Sequence, residues 1–545
     1  MRLVERRIGF LFALFLALLA LAAARATWLG TVESRDLEAR AVGQQVEEIT
    51  VYARRGTIVD RNGVELAVSE DATTVFANPF LIDDPPGVAK RLAPLLGMSE
   101  DAVMEKLADR STGFVYLRRK LDPTRGAKIE RLDIEGIDTV VEPRRTYPQG
   151  SIASQVLGSV GTDNYGLSGL EQAHEETLHG ADGKRKVVKD ATGKPVSIVD
   201  VERAEAGEDL ELTIDTAIQE RTEAVLSEVG QLYQPRGATA VVMDPRNGEV
   251  LAMANWPRVD ANKIGDAPDY ARQNRAVGFT YEPGSTFKAF TVAGALEEKL
   301  VTPRTPFTLG PTIQVADRVI KEAHDSGGGT LSVAQILAQS SNVGTVTIGL
   351  RLGTERFDEW VRRFGFAEPT GIDLPGEEAG IVPEAEAYSG SSIGNLPIGQ
   401  GLAVTPIQMA YGYSAIANAG FAHTPHVIAG ESDEGQRIMS APNAMKVSRM
   451  LEGVLQSGGT ASEAAIDGYT LAGKTGTAQK AENGGYSKTK FVASFIGYAP
   501  SRNPRLLVSV MVDEPQGSIY GGAVAAPAFE KIASFALPYL RIPPQ

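Results

Sequence analysis

No cysteine occurs in the 545 residues of this chain. Disulfides, zinc–thiolate sites and cysteine nucleophiles are excluded together. An address outside the cytoplasm stays open, because a chain with a large core needs no disulfide staples. Excess positive charge is equally lacking. The formal net charge is -14, and so acidic a protein is a poor partner for nucleic acid, whose phosphates are neutralised by grouped Lys and Arg. Heptads, internal repeats and low-complexity tracts are also missing. What remains is ordinary globular material, 43% hydrophobic and 22% charged, too long for a single core, so two or more domains are expected. One pair with metal-ligand spacing occurs, His423 and His426. Pro425 lies between them and no acidic partner pattern follows, so they read as turn or surface residues, and no metal or cofactor is expected.

A single long apolar run is present, from Ile8 to Ala24, preceded by Arg2, Arg6 and Arg7. As a helix rising about 1.5 Å per residue it falls a little short of a hydrocarbon core of about 30 Å. Arg25 can snorkel to the interface and Trp28 can sit there. The basic flank is expected to stay in the cytoplasm and send the rest of the chain out. The small residues Ala22, Ala23 and Ala24 also suit a signal-peptide cleavage site. Under either reading the body of the chain is exported.

From about Thr31 to Ala206 short strand-like and helix-like pieces alternate with turn signals. Within them "RRGTIVDRNGVELAVS" reads as two short strands around Asn62 and Gly63. "VERAEAGEDLELTID" reads as a junction. Beyond it, strands are expected over Ala238 to Met243 and Glu249 to Ala254. Three more follow much later: about Gly473 to Lys480, Lys490 to Tyr498, and Arg505 to Asp513. Between the two groups lie helical runs, including Lys288 to Leu300 and about Leu331 to Leu352, and a last helix covers about Val524 to Leu537. Short turn-rich connections make the late strands antiparallel neighbours. The order of elements points to an α+β fold, an antiparallel sheet flanked by helices.

Three short elements carry chemistry. In "YEPGSTFKAF" a helix is expected to begin near Ser285, which places Ser285 and Lys288 on one face. A serine needs a base to attack a carbonyl, and a lysine serves once burial or a neighbouring cation lowers its pKa. In "QSSNVG", Ser340 and Asn342 sit two apart in a loop or helix start. Ser340 can relay a proton to a leaving amine, and the Asn342 amide can hold a substrate amide. In "LAGKTGTAQ", a strand turns Thr475 and Thr477 to one side and Lys474 and Gly476 to the other. Two hydroxyls on one face suit a carboxylate, Gly476 permits close backbone approach, and Lys474 supplies positive charge nearby.

In this order the three elements resemble the motif set of penicillin-binding proteins and class A β-lactamases. The resemblance is wider than the set. "RRTYPQG", "GLSGLEQAHEETLHG", "LTIDTAIQ", "VVMDPRNGEVLAMANWP", "TGIDLPGE", "PIGQGLAVTPIQMA" and "GGYSKTKFVASFIGYAP" are similar to segments of class B, monofunctional penicillin-binding proteins of the division type. The match runs from about Arg54 to Leu537. It implies an uncleaved membrane anchor over residues 1–30, a non-catalytic dimerisation-type pedestal over 31–206, and a serine β-lactamase-like transpeptidase domain with a five-stranded antiparallel sheet over 207–545. It further implies Ser285 as the acylated nucleophile and Lys288 as its base. Ser340 and Asn342 would form the second motif, and Lys474, Thr475, Gly476 and Thr477 the third. The N–H groups of Ser285 and Thr477 would make an oxyanion hole. The implied substrates are D-Ala-D-Ala stem peptides, with β-lactams as mimics. The implied partners are a polytopic membrane glycan polymerase and other division proteins. A class A β-lactamase is disfavoured. Between Val343 and Gly473 the asparagines are Asn395, Asn418 and Asn443, and none follows a Glu at the spacing its water-activating pair requires. A carboxypeptidase, or an idle scaffold that binds penicillin, stays open.

Overall fold

The structure is a computed structural model that describes residues 2–31, 46–189, 195–323, 328–431, 433–482 and 484–544. The first element, α1 (Arg2–Thr31), is a single helix of 30 residues. Its apolar stretch Arg7–Leu29 spans 23 residues with a mean hydropathy of 2.3 and is not buried by any of the described residues. At about 1.5 Å per residue that stretch rises about 35 Å, long and apolar enough to cross a membrane. The run read from sequence came out slightly short because it was stopped at Ala24. The helix continues through Arg25 and Trp28 without a break.

The described residues divide into two compact units. One, which includes α1, falls within Met1–Arg54, Ala72–Pro143 and Gly180–Gly207. It contains a three-stranded antiparallel sheet with Gly183–Lys189 between Val46–Val51 and Pro195–Glu202. Its core gathers Val75, Leu92, Leu96, Val103, Leu107 and Leu117. The other comprises Arg55–Asp71, Arg144–His179 and Glu208–Gln545.

In this second unit five strands form one antiparallel sheet: β1 (Gly237–Met243), β2 (Val250–Trp256), β3 (Ala472–Glu482), β4 (Gly485–Ala499) and β5 (Leu506–Asp513). Their order is β2-β1-β5-β4-β3, which leaves β3 at an edge. All four pairings are antiparallel; the turn-rich connections predicted two of them, β3 with β4 and β4 with β5. Helices α2 (Thr216–Tyr233), α3 (Lys288–Glu297), α4 (Val333–Ala338), α5 (Asn342–Leu352) and α6 (Ala526–Tyr539) cover it. The period-2 alternation of the strands decides which side meets which helices. Ala238, Ala240 and Val242 of β1 and Val508, Val510 and Val512 of β5 pack with Leu226 of α2 and Phe529 of α6. The intervening Val241, Met243, Leu507 and Met511 join Phe287, Phe290 and Val346 on the opposite side.

Three sequence readings need correction. The stretch Leu331 to Leu352 is two helices, not one. Ser332 closes a capping box with Gln335 at the start of α4, and Ser341 caps α5 through Gly344 N–H. Between them Ser340 takes φ 60°, a left-handed conformation no helix interior contains. The strand after Asn62 and Gly63 is not short but runs from Glu65 to Ala77, after a turn in which the Asp60 carboxylate accepts from Asn62 and Val64 N–H at 2.8 Å each. His426 is not a surface residue: it is buried, its Nδ1 3.1 Å from the Thr424 carbonyl. His423 pairs with Asp433 at 2.8 Å.

The segments Arg55–Asp71 and Arg144–His179 are tied to each other by a buried ionic cluster. The Glu171 carboxylate receives Arg55 Nε at 2.9 Å and Arg145 Nε at 2.5 Å, with all three side chains at most 3% exposed. Arg55 reaches on to Glu175 and to the Asn164 carbonyl. Removing one member of such a cluster strands the remaining charges, at a cost of about 3–5 kcal/mol. Glu171→Ala is therefore expected to lower unfolding stability of the purified protein by about that amount in urea denaturation. A change below about 1 kcal/mol would show that the cluster is energetically idle.

Candidate active site

Pro283 and Gly284 end the preceding extended segment, and a tight 3-10 turn, Gly284–Phe287, carries Ser285 into α3. The turn is pinned from inside. Thr286 Oγ1 donates to the Pro283 carbonyl at 2.7 Å, and the buried Tyr413 hydroxyl donates to the Thr286 carbonyl at 2.7 Å. Gly284 N–H donates to the Gly399 carbonyl at 3.0 Å. Gly399 is in the left-handed region at φ 77°, and a Cβ there would lie 2.2 Å from Gly284 O, so no side chain fits beneath the turn.

Lys288, the first residue of α3, is completely buried. Its Nζ lies 2.6 Å from the Ser340 carbonyl, 2.6 Å from Asn342 Oδ1 and 3.3 Å from Ser340 Oγ. The first two partners only accept, so they consume two N–H bonds. A neutral amine in this setting keeps its lone pair for a hydroxyl proton. Burial lowers the Lys288 pKa to about 7, with the Glu322 carboxylate pulling it upward. Of the two causes named from sequence, burial is the one at work.

The second element is assembled by the break between α4 and α5. Asn342 opens α5 beside the left-handed Ser340, and its Nδ2 donates to the Lys321 carbonyl at 2.9 Å. That fixes the amide with Oδ1 toward Lys288 and leaves one N–H uncommitted. Glu322 was not identified from the sequence. It accepts from Ser341 Oγ at 2.5 Å and from Asn342 N–H at 2.7 Å, a carboxylate at a helix N-terminus. No local motif marks it; only the folding of the antiparallel hairpin Thr312–Lys321 brings it to α5.

The third element is edge strand β3. Thr475 and Thr477 face the cavity that also exposes Ser285, Ser340 and Asn342, a space of about 1100 Å³. Thr477 Oγ1 accepts from Gly521 N–H at 3.1 Å, which leaves its own proton free to donate. Thr475 Oγ1 is 2.7 Å from Thr460 Oγ1, a second residue with no sequence signal. Gly476 is tightly enclosed: a Cβ would meet Ser494 Oγ at 2.3 Å and Pro283 O at 2.8 Å, so strand and nucleophile turn touch backbone to backbone. Lys474 lies on the other side, as the alternation predicted, but it is wholly buried. Burial, with the charge of Lys288 adding to it, pushes its ammonium well down. Its Nζ reaches the Thr475 carbonyl and Oγ1 at 3.2 and 3.3 Å. A standing positive charge beside the cavity, expected of Lys474 from sequence, is thus opposed by its surroundings.

Comparison with known proteins bears on this arrangement directly. Residues 238–534 match the penicillin binding protein transpeptidase domain, and residues 50–212 match the penicillin-binding protein dimerisation domain. The chain is a class B penicillin-binding protein. It is 34% identical to the probable peptidoglycan D,D-transpeptidase PenA of Neisseria meningitidis over 99% of this chain and 93% of that protein. It is 36% identical to stage V sporulation protein D of Bacillus subtilis over 90% of this chain and 79% of that one. The crystal structure of penicillin binding protein 3 from Mycobacterium tuberculosis, complexed with aztreonam, superposes with a TM-score of 0.72 at 30% identity, covering 91% of this chain and 98% of that one.

Glu322 supplies the one charge that raises Lys288 against the effect of burial. Glu322→Gln removes it while keeping a polar group at the helix start. The pH midpoint of acylation by penicillin is expected to move to lower pH than in the unaltered protein. A midpoint that stays put or rises would remove Glu322 from the electrostatics of this site.

Proposed function

We propose that this chain is a peptidoglycan D,D-transpeptidase that cross-links D-Ala-D-Ala stem peptides through an acyl-enzyme on Ser285, and that β-lactams acylate the same residue. The observation that carries this reading is the convergence of Ser285, Ser340, Asn342, Thr475 and Thr477 on one cavity, with the buried Lys288 lowered to about 7 behind them. Half of such a lysine is neutral near pH 7, enough for a base at the operating pH.

In this scheme the Ser285 hydroxyl gives its proton to the Lys288 lone pair as its oxygen attacks the penultimate D-Ala carbonyl. The N–H groups of Ser285 and Thr477 receive the developing oxyanion. The free N–H of Asn342 holds the donor's amide carbonyl, and the hydroxyls of Thr475 and Thr477 donate to its terminal carboxylate. Lys474 acts through the Thr475 hydroxyl it touches. Collapse expels D-Ala, whose amine takes the proton back from Lys288 by way of Ser340. An amine of a second stem peptide then attacks the ester along the same route and releases Ser285.

The domain division proposed is an anchor over residues 1–30, a dimerisation-type pedestal over 31–206 and the transpeptidase over 207–545, with the strand-turn segments Arg55–Asp71 and Arg144–His179 packing as part of the catalytic unit. The apolar helix and its Arg2, Arg6 and Arg7 flank support a single pass with a cytoplasmic N-terminus and an extracytoplasmic catalytic domain. The similarity to division-type members supports a role in septal wall synthesis beside a polytopic glycan polymerase and other division proteins.

Ser285→Ala is expected to abolish covalent labelling by a tagged penicillin while thermal unfolding is unchanged, with peptide mapping of the parent placing the adduct on the peptide that contains Ser285. Labelling that survives the substitution would refute the nucleophile. Thr475 and Thr477 each offer a charge-assisted hydrogen bond worth about 1.5–3 kcal/mol. The double valine variant is expected to lose tenfold or more in the acylation rate constant for carboxylate-bearing β-lactams. An unaltered rate would take the carboxylate away from this strand.

A further inference from the structure

Arg318 begins the short strand Arg318–Lys321 and lines the same cavity as Ser285. The side chain is exposed, and its guanidinium has no ion-pair or hydrogen-bond partner among the described residues. Two carboxylates, Glu322 and Glu463, line the same cavity, and neither pairs with Arg318 among the described residues. Its nearest acidic neighbour along that strand's exit, Glu322, spends both oxygens on Ser341 and Asn342. Arg318 therefore keeps its five donors for something that enters the cavity.

Strand geometry says which part of the substrate arrives there. β3 is an edge strand, so an extended peptide can lie along it, and Thr475, Thr477 and Gln479 successively line the cavity on one face. A strand advances about 3.3 Å per residue. With the terminal carboxylate on Thr475 and Thr477, the third residue from the donor's C-terminus lies about 7 Å further along, level with Gln479. Gln479 Nε2 donates to the Ser487 carbonyl at 3.1 Å. The adjoining Tyr486 also lines the cavity, and its phenol, raised to about 12 chiefly by burial, is pulled back by the charge of Arg318. Gln479, Tyr486 and Arg318 thus border one arm of the cavity.

We propose that Arg318 is a specificity-determining residue that pairs with a carboxylate on the side chain of the donor's third residue. It would select stem peptides whose side chain there ends in an amino-acid group over those that end in a bare ammonium. The inference rests on the transpeptidase reading above and adds the substrate class. A guanidinium forms a bidentate pair with a carboxylate and repels an ammonium, so one residue both attracts the right donor and rejects the wrong one.

The test uses the full-length protein and three synthetic stem-peptide thioesters ending in D-Ala, identical except at the third residue: meso-diaminopimelate, its side-chain carboxamide, and lysine. The measured quantity is kcat/KM for thiol release. The parent is expected to favour the free carboxylate at least tenfold over both others. Arg318→Ala should abolish that preference by losing activity on the carboxylate donor alone, and Arg318→Glu should turn it toward lysine. Arg318→Ala with Lys321→Ala guards against the neighbouring cation taking over. Acylation by benzylpenicillin, which has no side-chain carboxylate, should be unchanged within twofold in both single variants. Equal losses on all three donors, or a preference intact in the double variant, would overturn the proposal. Failure of the parent to turn over any donor, or penicillin labelling that does not need Ser285, would instead strike the transpeptidase reading itself.

Discussion

An ammonium group enclosed by protein is unstable relative to its neutral form, and the chemistry of this chain depends on that one constraint acting at Lys288. The side chain is fully buried, and its two short contacts are to a carbonyl and an amide oxygen. Those acceptors would suit a cation, but they are dipoles, and the one full negative charge acting on Lys288, Glu322, is tied up at the start of α5. The compromise is a pKa of about 7. More carboxylate nearby would lock the proton on, and less polarity would leave a base too weak to take a proton from serine.

Holding Lys288 in that balance requires the rest of the unit to be stiff. The nucleophile turn is tied to Gly399 on one side and Tyr413 on another, while Gly476 lets strand β3 press on the Pro283 carbonyl. The Gly399 and Gly476 contacts use backbone atoms, which have no rotamers to lose, and the Tyr413 contact uses a fully buried side chain. Beyond them the sheet is double-sided, with α2 and α6 on one face and the aromatic cluster around Phe287 and Phe290 on the other. Phe287 and Phe290 pack edge-on at 5.2 Å within the segment that follows Ser285. The core and the nucleophile are therefore set by the same few turns of chain.

How far sequence could foresee this follows from the range of each interaction. Ser285 with Lys288 is read from helical spacing, although Ser285 stands in a 3-10 turn ahead of the helix that Lys288 opens; Thr475 with Thr477 depends on strand alternation, a local period, and both line the cavity. The five strands were legible for the same reason. The helical run read from sequence crosses Ser340 because the apolar pattern continues past it, although the polar cluster of Ser340, Ser341 and Asn342 itself reads as a loop or helix start. The depth of Lys474 could not be read, since alternation gives a face and not what covers it. Glu322 and Thr460 meet the site only through tertiary contacts. The recruitment of Arg55 and Arg145 around Glu171 likewise joins residues far apart in the chain, and no periodicity reports such a pairing.

The two buried lysines also constrain the order of events on the proposed reading. Lys474 is depressed by burial and by the charge of Lys288, so the pair resists holding two protons. When Ser285 gives up its proton, Lys288 becomes cationic, and that charge makes protonation of Lys474 still less favourable. The proton then has one nearby acceptor, the amine that leaves as the peptide bond breaks, reached past Ser340 Oγ at 3.3 Å. Once it has gone, Lys288 is neutral again and able to take a proton from the incoming amine of the second peptide. The burial that keeps Lys288 low thus favours loss of its proton at each half-reaction, and a water or an amine at the ester meets a base already restored.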